Sequence, residues 1–314
     1  MPHSAAELLA ARLSEKLGKR TPGARLAELR TPEGTKRVIA TEAYQGVELW
    51  DHLKRIHREG HGADVLGELL SFKEGIAEDM RFSLLIGDGD RHPSNMLVLP
   101  NGELLSIDFG MADIHPTHFT YRHEGKVLAD GTDSPWHEHW KVPGFDEMPA
   151  PESPRFREYV LAQMQVHLDW SVFQLYRHLG GFGQGVAETF LSSFHYDDFA
   201  EGVARMRSAL RGDVGDLTRE SLEQFRSIAP DVFENYRLDP ELTVRLLETR
   251  LDVMDEFFQT IDQRVMRALQ ENIDGGTRLQ PVSMRRRAVD GWRLLSPPPV
   301  RLVFPRAARI GRSA

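Results

Sequence analysis

The 314-residue chain contains no cysteine, which excludes disulfides, thiol nucleophiles and cysteine-ligated zinc and fits a reducing compartment. It also lacks a long apolar run. Residues 1 to 20 are amphipathic, and no stretch approaches the ~20 residues of a membrane-spanning helix, so a soluble, cytoplasmic protein is expected. There is no internal repeat, and the one low-complexity segment is Pro297-Pro298-Pro299. A basic body is missing too. The net charge is −8, yet residues 281 to 314 carry eight arginines (Arg285, Arg286, Arg287, Arg293, Arg301, Arg306, Arg309, Arg312) against Asp290 alone, a net of +7 that leaves −15 for residues 1 to 280. An acidic body disfavours nucleic acid, whose binding draws on counterion release by Lys and Arg, so no nucleic-acid partner is expected. The tail is suited to contact with an anionic membrane, at about 1 kcal/mol per basic residue near the surface. The plainer reading is a solvated or partly packed extension with Trp292, Leu294 and Leu295 touching the body.

Against these absences stands one dense stretch. Gly89-Asp90-Arg91-His92-Pro93-Ser94-Asn95 is followed, thirteen positions after the Asn, by Asp108-Phe109-Gly110. Phosphoryl transfer asks a protein for charge positioning more than covalent chemistry. An Asp can orient or deprotonate the acceptor hydroxyl, an Asn five positions on can ligate a metal, and a second Asp can bind Mg²⁺ that bridges phosphates. The short apolar runs Met96–Leu99 and Leu104–Ile107 flank Pro100-Asn101-Gly102, which predicts a hairpin closed by a two-residue Asn-Gly turn. Such a hairpin sets Asn95 and Asp108 at one end, facing a single hard-cation site. The bland alternative is that Asp90, Asn95 and Asp108 are ordinary turn residues. Asp88, between two glycines, reads as a loop residue rather than a second base.

Gly89-Asp90-Arg91-His92-Pro93-Ser94-Asn95 with Ile107-Asp108-Phe109-Gly110 resembles the Gly-Asp-Arg-His-x-x-Asn and Ile-Asp-Phe-Gly pair of the phosphatidylinositol 3- and 4-kinase-like superfamily, which includes lipid kinases and large protein kinases. The resemblance implies ATP and Mg²⁺ as cofactors, Asp90 as the catalytic acid-base group, His92 assisting at the transferred phosphoryl, and Asn95 and Asp108 holding the metal. Arg91 would be structural. Two neighbouring families share part of the pattern: the ubiquinone-biosynthesis atypical kinases, with Asp-Pro-His-Pro-Gly-Asn, and the aminoglycoside-type phosphotransferases, with a similar Asp-to-Asn spacing. The Arg-His pair favours the first family, while Leu97 to Gly102 and Met111 resemble the ubiquinone group, so the assignment within the kinase-like fold stays open. The resemblance is specific over residues 80 to 112 and diffuse over 4 to 80.

It implies an α+β, bilobal protein-kinase-like fold: a truncated small lobe at 1–46, a mainly helical large lobe at 47–280, and the basic tail at 281–314. Ala5 to Gly18 predicts a helix with Ser4 as N-cap, Leu9, Leu13 and Leu17 on one face, and Gly18 as the stop. By resemblance it is the regulatory helix of a small lobe, and Glu7, or else Glu15, is the acid that pairs with a phosphate-binding lysine. Strands are expected at Arg25–Leu29 and Arg37–Ala40 around the turn Thr31-Pro32-Glu33-Gly34, and the helix stripe is expected to need that sheet as cover. Glu42-Ala43-Tyr44-Gln45-Gly46 takes the hinge position, which places Glu42 and Tyr44 beside adenine. A helix from Val47 to about Glu59 and an apolar-periodic stretch Val65–Met80 lead into the motif.

The glycine-rich loop and strand lysine of a kinase do not precede this helix. Gly180-Gly181-Phe182-Gly183-Gln184-Gly185 follows a long helix without flanking strands, so it reads as a hinge between helices. Three explanations stand: a start downstream of the true N-terminus, which we prefer; a degenerate kinase; or a small lobe completed by another chain. The chain alone is expected to be poorly active.

Residues 111 to 154 are rich in turn formers and occupy the activation-segment position, the expected place of acceptor recognition. His115, His118, His123, His137 and His139 within it lack a diagnostic metal spacing, and Thr120 and Tyr121 are ordinary exposed-hydroxyl candidates for phosphorylation. Beyond Pro154, helices are expected over Leu161–Leu179, Val186–Leu210, Leu217–Ile228 and Leu242–Leu269, with Trp170, Phe173 and the methionines as core. The expected function is phosphoryl transfer from ATP to a hydroxyl of a protein or lipid. The alternatives are a pseudokinase or binding module, and a small-molecule kinase of the aminoglycoside type.

Overall fold

The computed structural model describes residues 2–19, 21–32, 34–60, 62–109, 112, 142–235 and 238–274. Residues 113–141 of the turn-rich segment, with its five histidines, Thr120 and Tyr121, and the arginine-rich tail with Trp292, lie outside them. The architecture is α+β and mostly helical, with two small sheets.

Helix α1 spans Pro2–Lys16. Its start precedes the expected one, so Ser4 sits inside the first turn rather than before it, with Pro2 at a position where a missing N–H costs nothing. The stop falls as expected. Gly18 has φ 64°, its N–H donates to the Glu15 carbonyl at 3.1 Å, and the Lys19 N–H reaches the Ser14 carbonyl at 2.9 Å, the paired bonds that close a helix on a left-handed residue. Strands β1 (Ala24–Thr31) and β2 (Gly34–Thr41) form an antiparallel two-stranded sheet.

The cover of α1 is not that sheet. Ala5 and Leu8 pack with Leu222, Phe225, Phe233 and Leu238, while Leu9, Ala10 and Leu13 enter the main core. The apolar stripe is wide enough to be clasped by helices on two sides, which a two-stranded ribbon could not do.

The expected helix from Val47 begins two residues later. Val47 and Glu48 form β3, which pairs with β4 (Met96–Val98), and β4 pairs with β5 (Leu104–Ser106). Helices α2 (Leu49–Glu59), α3 (Gly62–Ser71) and α4 (Lys73–Ile86) follow. Helix α4 is the axis of the molecule. Ile76, Ala77 and every residue from Asp79 to Ile86 are buried, so a helix amphipathic only in its first turn is enclosed all round. Burial of a Leu or Phe contributes about 1.5–3 kcal/mol; burial of Asp79 and Arg81 costs unless each is paired. Arg81 donates to the Asp198 carbonyl at 2.8 Å, and Asp79 is answered at the site described below.

The second half comprises α5 (Arg155–Leu179), α6 (Gln184–Leu191), α7 (Asp197–Leu210), α8 (Val214–Ile228), α9 (Pro230–Asn235), α10 (Pro240–Phe258) and α11 (Ile261–Asp274). Gly180–Phe182 is a 3-10 turn linking α5 to α6, a connector as expected. Two predicted helices are each split in two. Between α6 and α7 the Ser192 and Ser193 hydroxyls turn back onto the Glu188 and Phe190 carbonyls, both at 2.6 Å, and Asp198 accepts the His195 N–H at 2.8 Å. These side chains end one helix and cap the next. Between α10 and α11 the chain bends at Gln259-Thr260, which buries Phe257, Phe258 and Ile261 together. Phe173 is half-buried against Trp170.

Candidate functional site

The motif lies where α4 ends. Gly87 closes the helix, and Asp88, fully buried, accepts the Asp90 N–H at 3.1 Å. Arg91 then turns inward, 1% exposed, and becomes the centre of the site. Its Nε and Nη2 donate to the two oxygens of Asp79 at 3.0 and 3.1 Å. Nη1 donates to Asp88 at 3.3 Å and to the carbonyls of Ile107 and Asp108 at 3.0 and 3.1 Å, while Nη2 also reaches the Asn95 carbonyl at 3.0 Å. One guanidinium therefore fastens α4, the Asp90 loop and both ends of the β4–β5 hairpin. The structural part expected of Arg91 is what its contacts describe. Only a planar fork with five donors can serve so many acceptors.

The two ends of the hairpin meet at the backbone. Ile107 N–H donates to the Asn95 carbonyl at 2.9 Å, and the Asn95 side-chain amide donates to the Asp90 carbonyl at 2.6 Å. That bond commits the amide nitrogen and leaves Oδ1 as the atom that would bind a cation. Asp108 is exposed and has φ 60°, the single non-glycine positive φ among the described residues. Asp is one of the few non-glycine residues that takes this conformation as a single turn residue. Arg91, by holding the carbonyls on both sides of that residue's N–H, enforces it.

The turn of the hairpin is a correction. Gly102 N–H donates to the Leu99 carbonyl and Leu99 N–H to the Glu103 carbonyl, each at 2.9 Å, and Gly102 alone has positive φ (80°). This is a three-residue loop with Pro100 at the second turn position and a glycine bulge, not a two-residue Asn-Gly turn. Asn101 instead braces Glu103, accepting its N–H at 3.2 Å.

Electrostatics separate the acids. Burial opposes the Asp79 charge, but Arg91 and Lys19 outweigh it and hold its carboxyl below the ordinary range. Lys19 is buried against Asp79 at 3.4 Å, 4.7 Å above the Phe82 ring and 5.9 Å above that of Phe109. Burial also pushes Asp88 up to about 7, helped by Asp90 and only partly countered by Arg91. Glu7 reaches about 7 through burial and the nearby Asp108, although it accepts the Phe109 N–H.

Of the residues picked from sequence, Glu7, Asp90, Asn95 and Asp108 come together here. Glu42 and Tyr44 are exposed and bond each other, Tyr44 Oη donating to Glu42 at 2.8 Å. They sit on the segment leading into β3, which places it beside the hairpin through the Val47–Val98 pair. His92 stacks on His178 of α5, ring centroids 5.0 Å apart at 13°. Burial, with His178 and Arg91 adding to it, lowers its pKa to about 4, so it is neutral at pH 7. Asp79, Lys19, Ser171, Gln174 and His178 were missed, since nothing local marks them.

Among the described residues no three His, Asp or Glu side chains form a metal-holding group. The donor set is one amide and one carboxylate oxygen, and it suits a cation such as magnesium that keeps water and takes phosphate oxygens as further ligands. Among the same residues no helix is long and apolar enough to cross a membrane. Comparison with protein-family models, with curated proteins and with solved structures finds no match for this chain.

Proposed function

We propose that this chain is an ATP- and Mg²⁺-dependent phosphotransferase acting on a hydroxyl of a protein or lipid. The observation that carries the reading is the Arg91 fastening, which gathers the Asn95, Ile107 and Asp108 carbonyls on one guanidinium and so fixes the ends of the hairpin that carry Asn95 and Asp108. Asn95 Oδ1 and the Asp108 carboxylate would hold the cation. Magnesium, when bound, neutralises charge on the transferred phosphoryl group and orients it. Asp90 receives the acceptor hydroxyl and its proton. His92, uncharged at neutral pH, offers the group an N–H donor without adding a second positive charge.

Label transfer from ATP to mixed lipids and proteins tests the reading. Asp108→Ala should lower the melting temperature slightly, because Ala accepts the left-handed backbone less readily than Asp, and should abolish transfer. Asn95→Ala should lower it at least a hundredfold. Unchanged turnover in Asp108→Ala would refute the metal role.

A second reading, a binding module that keeps only the floor of the site, is favoured by Glu7. The groups acting most strongly on it are Asp108, Phe109, Asp88 and Arg91, with no lysine among them. Thermal shift with ATP and Mg²⁺ separates the two: stabilisation that needs both supports transfer, and no response supports the module. A small-molecule acceptor, as in aminoglycoside-type kinases, would appear as transfer only to soluble amino-alcohols.

A further inference from the structure

Helix α5 supplies no part of the sequence motif, yet one of its faces is applied to the Asp90 loop. Ser171, Gln174 and His178 recur at helical spacing, so they point the same way. Ser171 Oγ donates to the Gly89 carbonyl at 3.3 Å. Gln174, 8% exposed, donates its amide Nε2 to Asp90 Oδ1 at 3.2 Å. His178 Nδ1 lies 2.7 Å from the carbonyl of Gln174, and its ring carries that of His92. His92 Nδ1 is buried with no hydrogen-bond partner, so stacking rather than hydrogen bonding through that atom sets its ring. The three contacts reach the residue before the acid, the acid itself and the histidine two positions on.

We propose that Gln174 is a positioning residue for phosphoryl transfer: its amide, bonded to Asp90 Oδ1, helps fix the orientation of that carboxylate toward the acceptor hydroxyl, while the same helical turn seats His92 through His178. A neutral donor suits this task. Lysine or arginine here would pair with Asp90 and weaken it as a proton acceptor, and a carboxylate would repel it. Loss of this donor would loosen the orientation of the carboxylate, and misplacement of about 1 Å can cost roughly a hundredfold in rate. The inference rests on the phosphotransferase reading, and its test is built so that the two can fail separately.

The first measurement needs no activity. Gln174→Met keeps length and volume but removes the donor. In a thermal-unfolding cycle, its cost should be present with Asp90 and vanish with Asp90→Ala, since the pair is coupled. Equal costs in both backgrounds overturn the proposal.

The second measurement is kinetic. Gln174→Met should reduce kcat about ten- to a hundredfold with the KM for ATP unchanged, and Gln174→His, which restores an N–H at similar reach, should recover most of it. An unchanged kcat, or a loss confined to KM, overturns the positioning role while Asp108→Ala still reports on transfer. If the wild-type chain transfers no label to any acceptor, the phosphotransferase reading falls and takes this role with it, even where the cycle shows the hydrogen bond.

Discussion

The β1–β2 hairpin pairs eight residues on each strand, whereas β4–β5 pairs three, yet the short one is the better anchored. In β1 and β2 no described side chain is fully buried, and the ribbon's principal packing partner is α1. In β4–β5, Met96, Leu105 and Ser106 are buried, Ser106 bonds Asp79, β3 lies along β4, and Arg91 holds residues at both ends. Backbone ladder length therefore says little about rigidity. A two-stranded ribbon is marginal in water whatever its length, while three paired residues become a fixed platform when a buried, fully satisfied cation ties them to the central helix. The candidate chemistry sits on the anchored hairpin.

Arg91→Met is the hardest blow to that contrast. It removes the main partner of Asp79, which keeps Lys19 and Ser106, and takes the guanidinium donor from the carbonyls of Ile107, Asp108 and Asn95, of which the last keeps the Ile107 N–H; breaking a buried ion pair from one side typically costs about 3–5 kcal/mol. Chemical denaturation should show a loss of that order, with Asp108 released from its left-handed conformation. A loss under about 1 kcal/mol would mean that the hairpin is held by apolar packing alone and that the contrast has another cause.

The next prediction divides the two acids that share Arg91. Asp79 is held below its ordinary pKa, so its contribution is present above about pH 4 and is lost as pH falls through the lower folded value. Asp88 is raised to about 7, so the stability tied to its proton is complete below its ordinary value of 3.8 and is lost as pH rises through about 7. Asp79→Asn should destabilise strongly at pH 7. Asp88→Asn keeps one acceptor oxygen for the Asp90 N–H but gives up the second oxygen, which accepts from Arg91, so it should flatten the fall in stability between pH 4 and 7 while losing a pH-independent amount for the missing Arg91 bond. Parallel melting curves for wild type and Asp88→Asn would show that Asp88 is ionised throughout.

Spacing carried the part of this site that is local. Asp90, Asn95 and Asp108 stand at intervals that need only one hairpin to bring them together, and apolar runs around Asn101-Gly102 announce it. The turn type was misread because Asn-Gly suits two loop lengths, and only the Leu99–Glu103 bond decides between them. What holds the trio in place was not legible. Asp79 lies twelve positions before Arg91 inside an apolar helix, and Gln174 lies eighty-four positions beyond Asp90; each reads as an ordinary polar residue until the packing of α4 and α5 is known. Helix ends were lost for the same reason. The period through residues 186–210 and 242–269 continues across both breaks, because the buried phenylalanines at the corners keep the apolar spacing while the backbone turns.

The smallest effect sharpens the contrast without a mutation. Amide hydrogen exchange reports local opening energies, which range from near zero in frayed elements to the global value in the core. Bonded backbone in β1 and β2 has solvent near it and little burial to lose on opening, so its amides should exchange through local fraying and be insensitive to mild denaturant. The amides of Leu105 and Ile107 should exchange only with α4, because opening there would expose Arg91 and Asp79 together. The comparison predicts an ordering and not a size: every protected β1–β2 amide should exchange faster than Ile107, despite the longer ladder. Equal protection in the two hairpins would place their stability in the backbone bonds after all, and Arg91 would then be a passenger of the hairpin rather than its anchor.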